Sequence, residues 1–211
     1  MALAATHIKF ALDIKDAYDI KNIAAYVAGT SYPDSRYISG IDRKKTHFEE
    51  LLSKEFLTTD FKKGWSVHVL CDKVQNTLFD QVFPDCLEGI ERGGGKSEWW
   101  IRVSALKGLQ EILVMEEFDM QPYLPLLEYV ENPNSERLED VTKFNQIIQR
   151  LYKDKKSLTP KEAASLWIEL GVENNLVSLI EEKINTYVEN PGVVKRMEKV
   201  YQEMITAYKT I

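Results

Sequence analysis

The fold is decided by the stretch Gly64-Trp65-Ser66-Val67-His68-Val69-Leu70-Cys71-Asp72. It belongs to a helical pattern that runs from residue 59 or 60 to about residue 79 and is stopped by Pro84. The i, i+4 spacing places His68 and Asp72 one turn apart on one helix face, among apolar neighbours. Because a buried carboxylate without a charge partner is costly, the pattern predicts that a metal ion, an arginine or a lysine neutralises Asp72.

Helical spacing continues on both sides of this stretch. Strand patterns are nearly absent, so the sequence predicts an all-α, multi-helix bundle. Asp19 is expected to cap the second helix, and turn-forming residues predict a loop over residues 30–41. The predicted helices cover residues 4–14, 20–28, 43–53, 98–117, 122–130, 135–153, 159–170, 174–188 and 193–210.

Length and composition indicate a globular protein with a substantial core. The chain has 211 residues, of which 44% are hydrophobic and 28% charged, so it needs no structural metal to fold. A metal that it holds is therefore expected to be functional. Glu131-Asn132-Pro133-Asn134 is the predicted boundary between a metal-binding helical core, residues 1–130, and a C-terminal helical part, residues 131–211, packed on that core. The C-terminal part contains no histidine, and its helices are a candidate surface for oligomerisation.

The net charge and the absence of recognisable targeting signals limit the binding partners and the cellular location that we expect. A net charge of −6 argues against general nucleic-acid binding, which needs a basic face, but it is compatible with a small phosphorylated substrate at a metal site. The two cysteines form no C-x-x-C pair and suggest a reducing compartment. We expect no signal peptide and no transmembrane segment, and the expected location is cytoplasmic.

The three histidines all lie in the first third of the chain. His7 and His47 each follow a threonine, and Asp34 follows a proline in the predicted loop. Each feature alone is commonly structural. Together with His68 and Asp72 they form a set of imidazoles and carboxylates, the donors that zinc prefers, and the set predicts a metal site.

The order of these motifs resembles the N-terminal half of the zinc-dependent phospholipase C family. The matching features are two Thr-His pairs, Gly-x-x-x-Pro-Asp from Gly29 to Asp34, and Gly-x-x-x-His-x-x-x-Asp from Gly64 to Asp72. The resemblance covers residues 6 to about 80. It implies an all-helical fold, shared with single-strand-specific nucleases, and hydrolysis of phosphodiester bonds with up to three zinc ions.

The resemblance also implies residue roles. The positions that match His47, His68 and Asp72 hold one zinc ion. The position of Asp72 bridges to a second zinc, which the position of His7 also binds. Asp34 would act as a ligand or as the general base, and is the expected catalytic residue. We expect one or two divalent ions, with zinc first and iron or manganese as the alternatives.

Two departures from the family alter what is expected. No histidine follows His68, so the third zinc site is either absent or rebuilt from carboxylates, with Glu98, Glu111, Glu116, Glu117 and Asp119 as the candidates. The family also uses the free N-terminal amine as a ligand. Here the amine of Met1 would lie six residues before His7, and this ligand is left open. Without a signal peptide, an intracellular phosphomonoester or phosphodiester is the expected substrate.

Basic residues between Asp34 and His47 are candidates for binding substrate phosphate. Arg36 and Arg43 are the two expected to do so, because a guanidinium binds phosphate in a bidentate manner, although a solvated loop is the alternative. The sequence thus predicts a metal-dependent phosphoester hydrolase that uses metal-activated water. The competing hypotheses are a non-catalytic helical interaction or ligand-binding protein that keeps the fold, and a protein without metal.

Overall fold

The structure, a computed structural model, describes residues 3–93 and 97–208. This part of the chain is 75% helical and contains no strand, which confirms the all-α prediction. Its eleven α-helices are α1 (Ala4–Ile14), α2 (Ile23–Ser31), α3 (Arg36–Ser39), α4 (Arg43–Thr46), α5 (Asp60–Val82), α6 (Pro84–Leu87), α7 (Glu98–Glu117), α8 (Leu138–Tyr152), α9 (Pro160–Glu169), α10 (Asn174–Val188) and α11 (Pro191–Ala207).

The predicted loop over residues 30–41 is wrong, because most of it is helical. Helix α2 continues to Ser31, a 3-10 turn spans Tyr32–Ser35, and α3 follows directly. Pro33 does not interrupt the path, since it lies in the first turn of the 3-10 segment, where its missing N–H is not needed. Asp34 is consequently held on a helical turn and is buried.

Two other predicted helices are shorter or tighter than expected. Residues 43–53 form α4 and a 3-10 turn, Glu49–Leu52, with non-helical backbone at His47 and Phe48. Residues 122–130 fall mainly in a 3-10 segment, Gln121–Glu128, where Pro125 lacks the N–H that an α-helix requires. The 3-10 segment thus replaces the predicted α-helix there.

Some of the predicted helix starts agree with the structure and others do not. The helix predicted over residues 159–170 starts with a reciprocal capping box of Thr159 and Glu162, with Pro160 in the first turn. Asp19 does not cap α2, because it adopts a left-handed backbone and Asn22 accepts from the Ala25 amide instead. The predicted start at residue 135 is also wrong, since Ser135 has a positive φ and α8 begins at Leu138.

The chain divides into two compact units. One comprises residues 4–71 and 118–156, and the other comprises residues 1–3, 72–117 and 157–211. Helix α5 contributes residues to both. The boundary at residues 131–134 stays a prediction.

The unit of residues 4–71 and 118–156 carries an aromatic core. Tyr32, Phe61 and Trp65 pack together with Leu51 and Val141, and all five side chains are buried. Helices α2 and α5 cross here in backbone contact, because Gly29 and Gly64 face each other. A Cβ on Gly64 would stand 3.1 Å from the Gly29 Cα and would overlap the Tyr26 carbonyl. The two glycines of the sequence motifs are therefore packing residues that bring α2 and α5 together.

The other unit is built around α7, which packs against α9, α10 and α11. Gly108 on α7 lies against Ile184 of α10. Arg196 of α11 donates to both carboxylate oxygens of Asp85, at 2.7 and 2.9 Å, and this contact holds the pKa of Asp85 below its usual value.

Some predictions fall outside the described residues. These are the N-terminal amine, which belongs to Met1, and part of the flexible connection that Gly93-Gly94-Gly95 predicts, since Gly94 and Gly95 are not among residues 3–93 and 97–208. Within those two ranges, no helix combines the length and the apolar character that crossing a membrane requires.

Candidate metal centre

His68 has a fixed orientation in the first half of α5. It is buried, and its Nδ1 lies 2.7 Å from the Thr30 carbonyl oxygen at the end of α2. A carbonyl oxygen only accepts, so Nδ1 carries the proton and donates. The lone pair of His68 is therefore on Nε2, and the close crossing of α2 and α5 sets the direction in which it points.

His47 is brought to His68 by a hydrogen bond from Trp65. The Trp65 Nε1–H donates to the Thr46 carbonyl oxygen at 2.7 Å, one turn of α5 before His68. The Nε2 atoms of His47 and His68 then lie 3.3 Å apart, with the two rings at 78° to each other. Non-helical backbone at His47 makes this approach feasible, which explains why the predicted helix over 43–53 breaks there.

Thr46 also sets the tautomer of His47. Its hydroxyl lies 3.3 Å from the Arg43 carbonyl oxygen and 2.8 Å from His47 Nδ1. When the hydroxyl donates to that carbonyl, it accepts from Nδ1–H, and the lone pair of His47 is on Nε2. Two nitrogen lone pairs that face each other at 3.3 Å are favourable only with a proton or a metal ion between them.

Asp34 adds a carboxylate to the two imidazoles. Its side chain is 5% exposed, and Oδ2 lies 3.9 Å from His68 Nε2. Its other oxygen, Oδ1, has no hydrogen-bond partner among the described residues. Ligand atoms of Asp34, His47 and His68 all lie within 4.8 Å of one another. A buried carboxylate with an unsatisfied oxygen is costly, and a bound cation would remove that cost.

These three residues fit a metal ion of the zinc class. At metal–nitrogen distances of about 2.0–2.1 Å, tetrahedral geometry separates two nitrogen ligands by about 3.3–3.4 Å. The observed separation of the two Nε2 atoms is 3.3 Å. The Asp34 oxygen is about half an ångström further from His68 than this geometry requires, a distance that a small side-chain rotation closes. The donor set provides three ligands, as catalytic zinc sites do.

His7 lies against His68 within the same compact unit, and both side chains are buried. The ring of His7, on α1, stacks on that of His68 with centroids 3.8 Å apart and an interplanar angle of 13°. Asp72, one turn after His68 on α5, is buried as well.

Lys107 is a residue of this region that the sequence reasoning missed. Its Nζ lies 3.0 Å from Asp72 Oδ1, and both side chains are about 95% buried. The lysine thus provides the charge partner that the sequence required for Asp72 and left open between a metal, an arginine and a lysine. A signal was present, because Lys107 is a charged residue inside the apolar run Leu106-Lys107-Gly108-Leu109.

The phosphate-binding candidates lie on short helices that flank the centre in sequence. Arg36 is half-buried in α3, where its guanidinium stacks on the Tyr37 ring at 4.0 Å, and Arg43 is exposed at the start of α4. Ser35 Oγ, Arg36 Nε and Ser39 Oγ are buried without a hydrogen-bond partner among the described residues. Unsatisfied polar atoms this close in sequence indicate a place where a polar ligand or water completes the hydrogen bonds.

Tyr32 is anchored and protonated. Its hydroxyl oxygen accepts from Asn134 Nδ2 at 2.7 Å. Burial, together with the neighbouring Glu136 carboxylate, raises the pKa of Tyr32 far above its ordinary value. Tyr32 is therefore a structural support beside Asp34, and it does not serve as a base at neutral pH.

The carboxylates considered for a third zinc site do not assemble one. Glu98, Glu116, Glu117 and Asp119 are exposed, and Glu111 is buried on α7. None of them joins a metal-binding group within the part of the chain that the structure describes.

Comparison of the chain with protein-family models, with curated proteins and with solved structures finds no match. The resemblance to zinc-dependent phospholipase C therefore stays a prediction, and the function has to be argued from the geometry of the centre.

Proposed function

We propose that the chain is a metal-dependent phosphoesterase whose divalent ion is held by Asp34, His47 and His68. The observation that carries this proposal is the convergence of the two imidazole Nε2 atoms beside a buried carboxylate, one oxygen of which has no partner in the described ranges. Three protein ligands leave a coordination position for water or substrate, which distinguishes catalytic zinc sites from closed structural ones.

In the proposed hydrolysis, the bound ion and the residues around it have different roles. A bound divalent ion supplies Lewis acidity toward the phosphoryl oxygen and lowers the pKa of a water molecule. Thr30 and Thr46 keep the two imidazoles oriented through their Nδ1 atoms. Asp34 Oδ1, which has no hydrogen-bond partner among the described residues, would orient the attacking water and accept its proton.

Substrate is proposed to approach from the side of His47. This residue is half-buried, whereas Asp34 and His68 are buried. Arg43 lies one turn before His47, and Arg36 follows Asp34 by two residues. Guanidinium groups there would bind the phosphate oxygens that the ion does not. The two nitrogen donors and one oxygen donor favour zinc, with iron or manganese as the alternatives.

The test is hydrolysis of a chromogenic phosphodiester, bis(p-nitrophenyl) phosphate, and of the monoester p-nitrophenyl phosphate by zinc-loaded protein. We expect turnover that a chelator abolishes and zinc restores. Arg36→Met should lower kcat/KM by about 10-fold or more, because a charge-assisted phosphate contact is lost. The matched control is Arg137→Met, which removes an exposed guanidinium and should leave kcat/KM unchanged.

A lack of hydrolysis would also be informative. Zinc-loaded protein that hydrolyses neither ester would contradict the enzyme proposal. It would favour the non-catalytic protein that keeps the fold and the ion.

A further inference from the structure

The orientation of the His7 ring prevents it from binding the ion that His68 would hold. An ion bound through a lone pair of an imidazole lies close to the plane of that ring. The rings of His7 and His68 are nearly parallel, at 13°, with centroids 3.8 Å apart. An ion in the plane of His68 therefore lies well outside the plane of His7, so neither ring nitrogen of His7 is directed at that ion.

His47 has the opposite relation to His68. The two rings are almost perpendicular, at 78°, and their Nε2 atoms meet at 3.3 Å. One ion can lie in both ring planes where they intersect. Ring geometry thus allows His47 and His68 to share one ion, whereas His7 and His68 do not share it.

Asp72 is engaged by a cation that the protein itself supplies. Lys107 Nζ donates to Asp72 Oδ1 at 3.0 Å, with both side chains about 95% buried. A metal ion on the same oxygen would lie within a few ångströms of the lysine charge in a medium where charges are poorly screened. Removing one partner of such a pair leaves a buried, uncompensated charge, so Lys107 is not readily displaced.

We propose that the centre holds a single metal ion and that the ammonium group of Lys107 takes the place of a second ion at Asp72. This inference rests on the proposed function and goes beyond it. The resemblance implies two ions bridged by Asp72, and the contact of Lys107 with Asp72 argues against that arrangement in this chain.

The test is the zinc stoichiometry of the full chain after equilibrium dialysis against a tenfold excess of zinc, measured by plasma mass spectrometry. Wild-type protein should hold one equivalent. Lys107→Met removes the ammonium group, leaves the Asp72 carboxylate available, and should raise the stoichiometry to two. Lys107→Arg keeps the positive charge beside Asp72 and should stay at one.

A second variant covers the case in which Lys107→Met does not fold. Asp72→Asn combined with Lys107→Met neutralises both partners, so it leaves no buried charge, and it should still hold one equivalent. Loss of that zinc would identify Asp72 as a ligand of the ion and would overturn the inference, as would two equivalents in the wild type. Zinc-free wild-type protein would overturn the proposed function as well, so the two failures are distinguishable.

Discussion

Gly64→Ala is expected to lower the free energy of unfolding by about 3 kcal/mol or more. The added Cβ would overlap the Tyr26 carbonyl oxygen and would lie 3.1 Å from the Gly29 Cα. These are backbone atoms of α2, which cannot rotate away as a side-chain end can. Alanine stabilises a helix relative to glycine by about 1 kcal/mol. A net loss of stability would therefore mean that the steric overlap costs more than this gain.

The measurement is urea unfolding followed by circular dichroism, with Gly40→Ala as the matched control. No atom of residues 3–93 and 97–208 lies within 4 Å of a Cβ at Gly40, so the expected cost there is that of the left-handed backbone at φ 72°, about 1–2 kcal/mol. Gly64→Ala should therefore be clearly less stable than Gly40→Ala. Equal unfolding midpoints for the two variants would contradict the close crossing of α2 and α5, and with it the placement of Thr30 against His68.

Asp34→Asn is expected to reduce kcat for phosphoester hydrolysis by about 100-fold or more. The amide keeps the size of the side chain but loses the charge that favours a bound cation, and it cannot accept a proton from water. Because Asp34 is 5% exposed, bulk water does not readily replace either role. The loss should exceed that of any phosphate-binding variant.

Steady-state kinetics at saturating zinc test this expectation. Asp13→Asn is the matched control, since Asp13 is an exposed carboxylate that pairs with Lys9 on the surface of α1. It should retain wild-type kcat. An Asp34→Asn protein that keeps kcat would remove Asp34 from the catalytic role and assign the chemistry to another group.

The sequence predicted the long helices well because their signals are local. The capping box at Thr159 and the helical spacing of α5 depend only on residues a few positions apart. The path of residues 30–41 was not predictable in this way. Turn formers such as Pro33 and Ser35 read as a loop, whereas packing of Tyr32 in the aromatic core holds the segment in helical turns.

In the candidate site, too, the local features were predictable from the sequence, whereas those that depend on tertiary packing were not. The i, i+4 spacing of His68 and Asp72 is a helix property, and the sequence contained it. The apolar run marks Lys107 as a buried charge, but its pairing with Asp72 was not predictable, because the two residues are 35 positions apart and meet only through tertiary packing. The glycines at 29 and 64 were visible as motif residues, but only the crossing of α2 and α5 explains why side chains are excluded there.

The most direct test of the account is the metal content of chelator-treated and zinc-reconstituted protein, compared with that of His68→Ala. His68 Nε2 lies beside both His47 Nε2 and Asp34 Oδ2, so its removal should disable the whole centre. We expect about one zinc equivalent in the wild type and none in the folded variant. Metal-free wild-type protein after reconstitution, or equal zinc in the two proteins, would contradict the assignment of this centre.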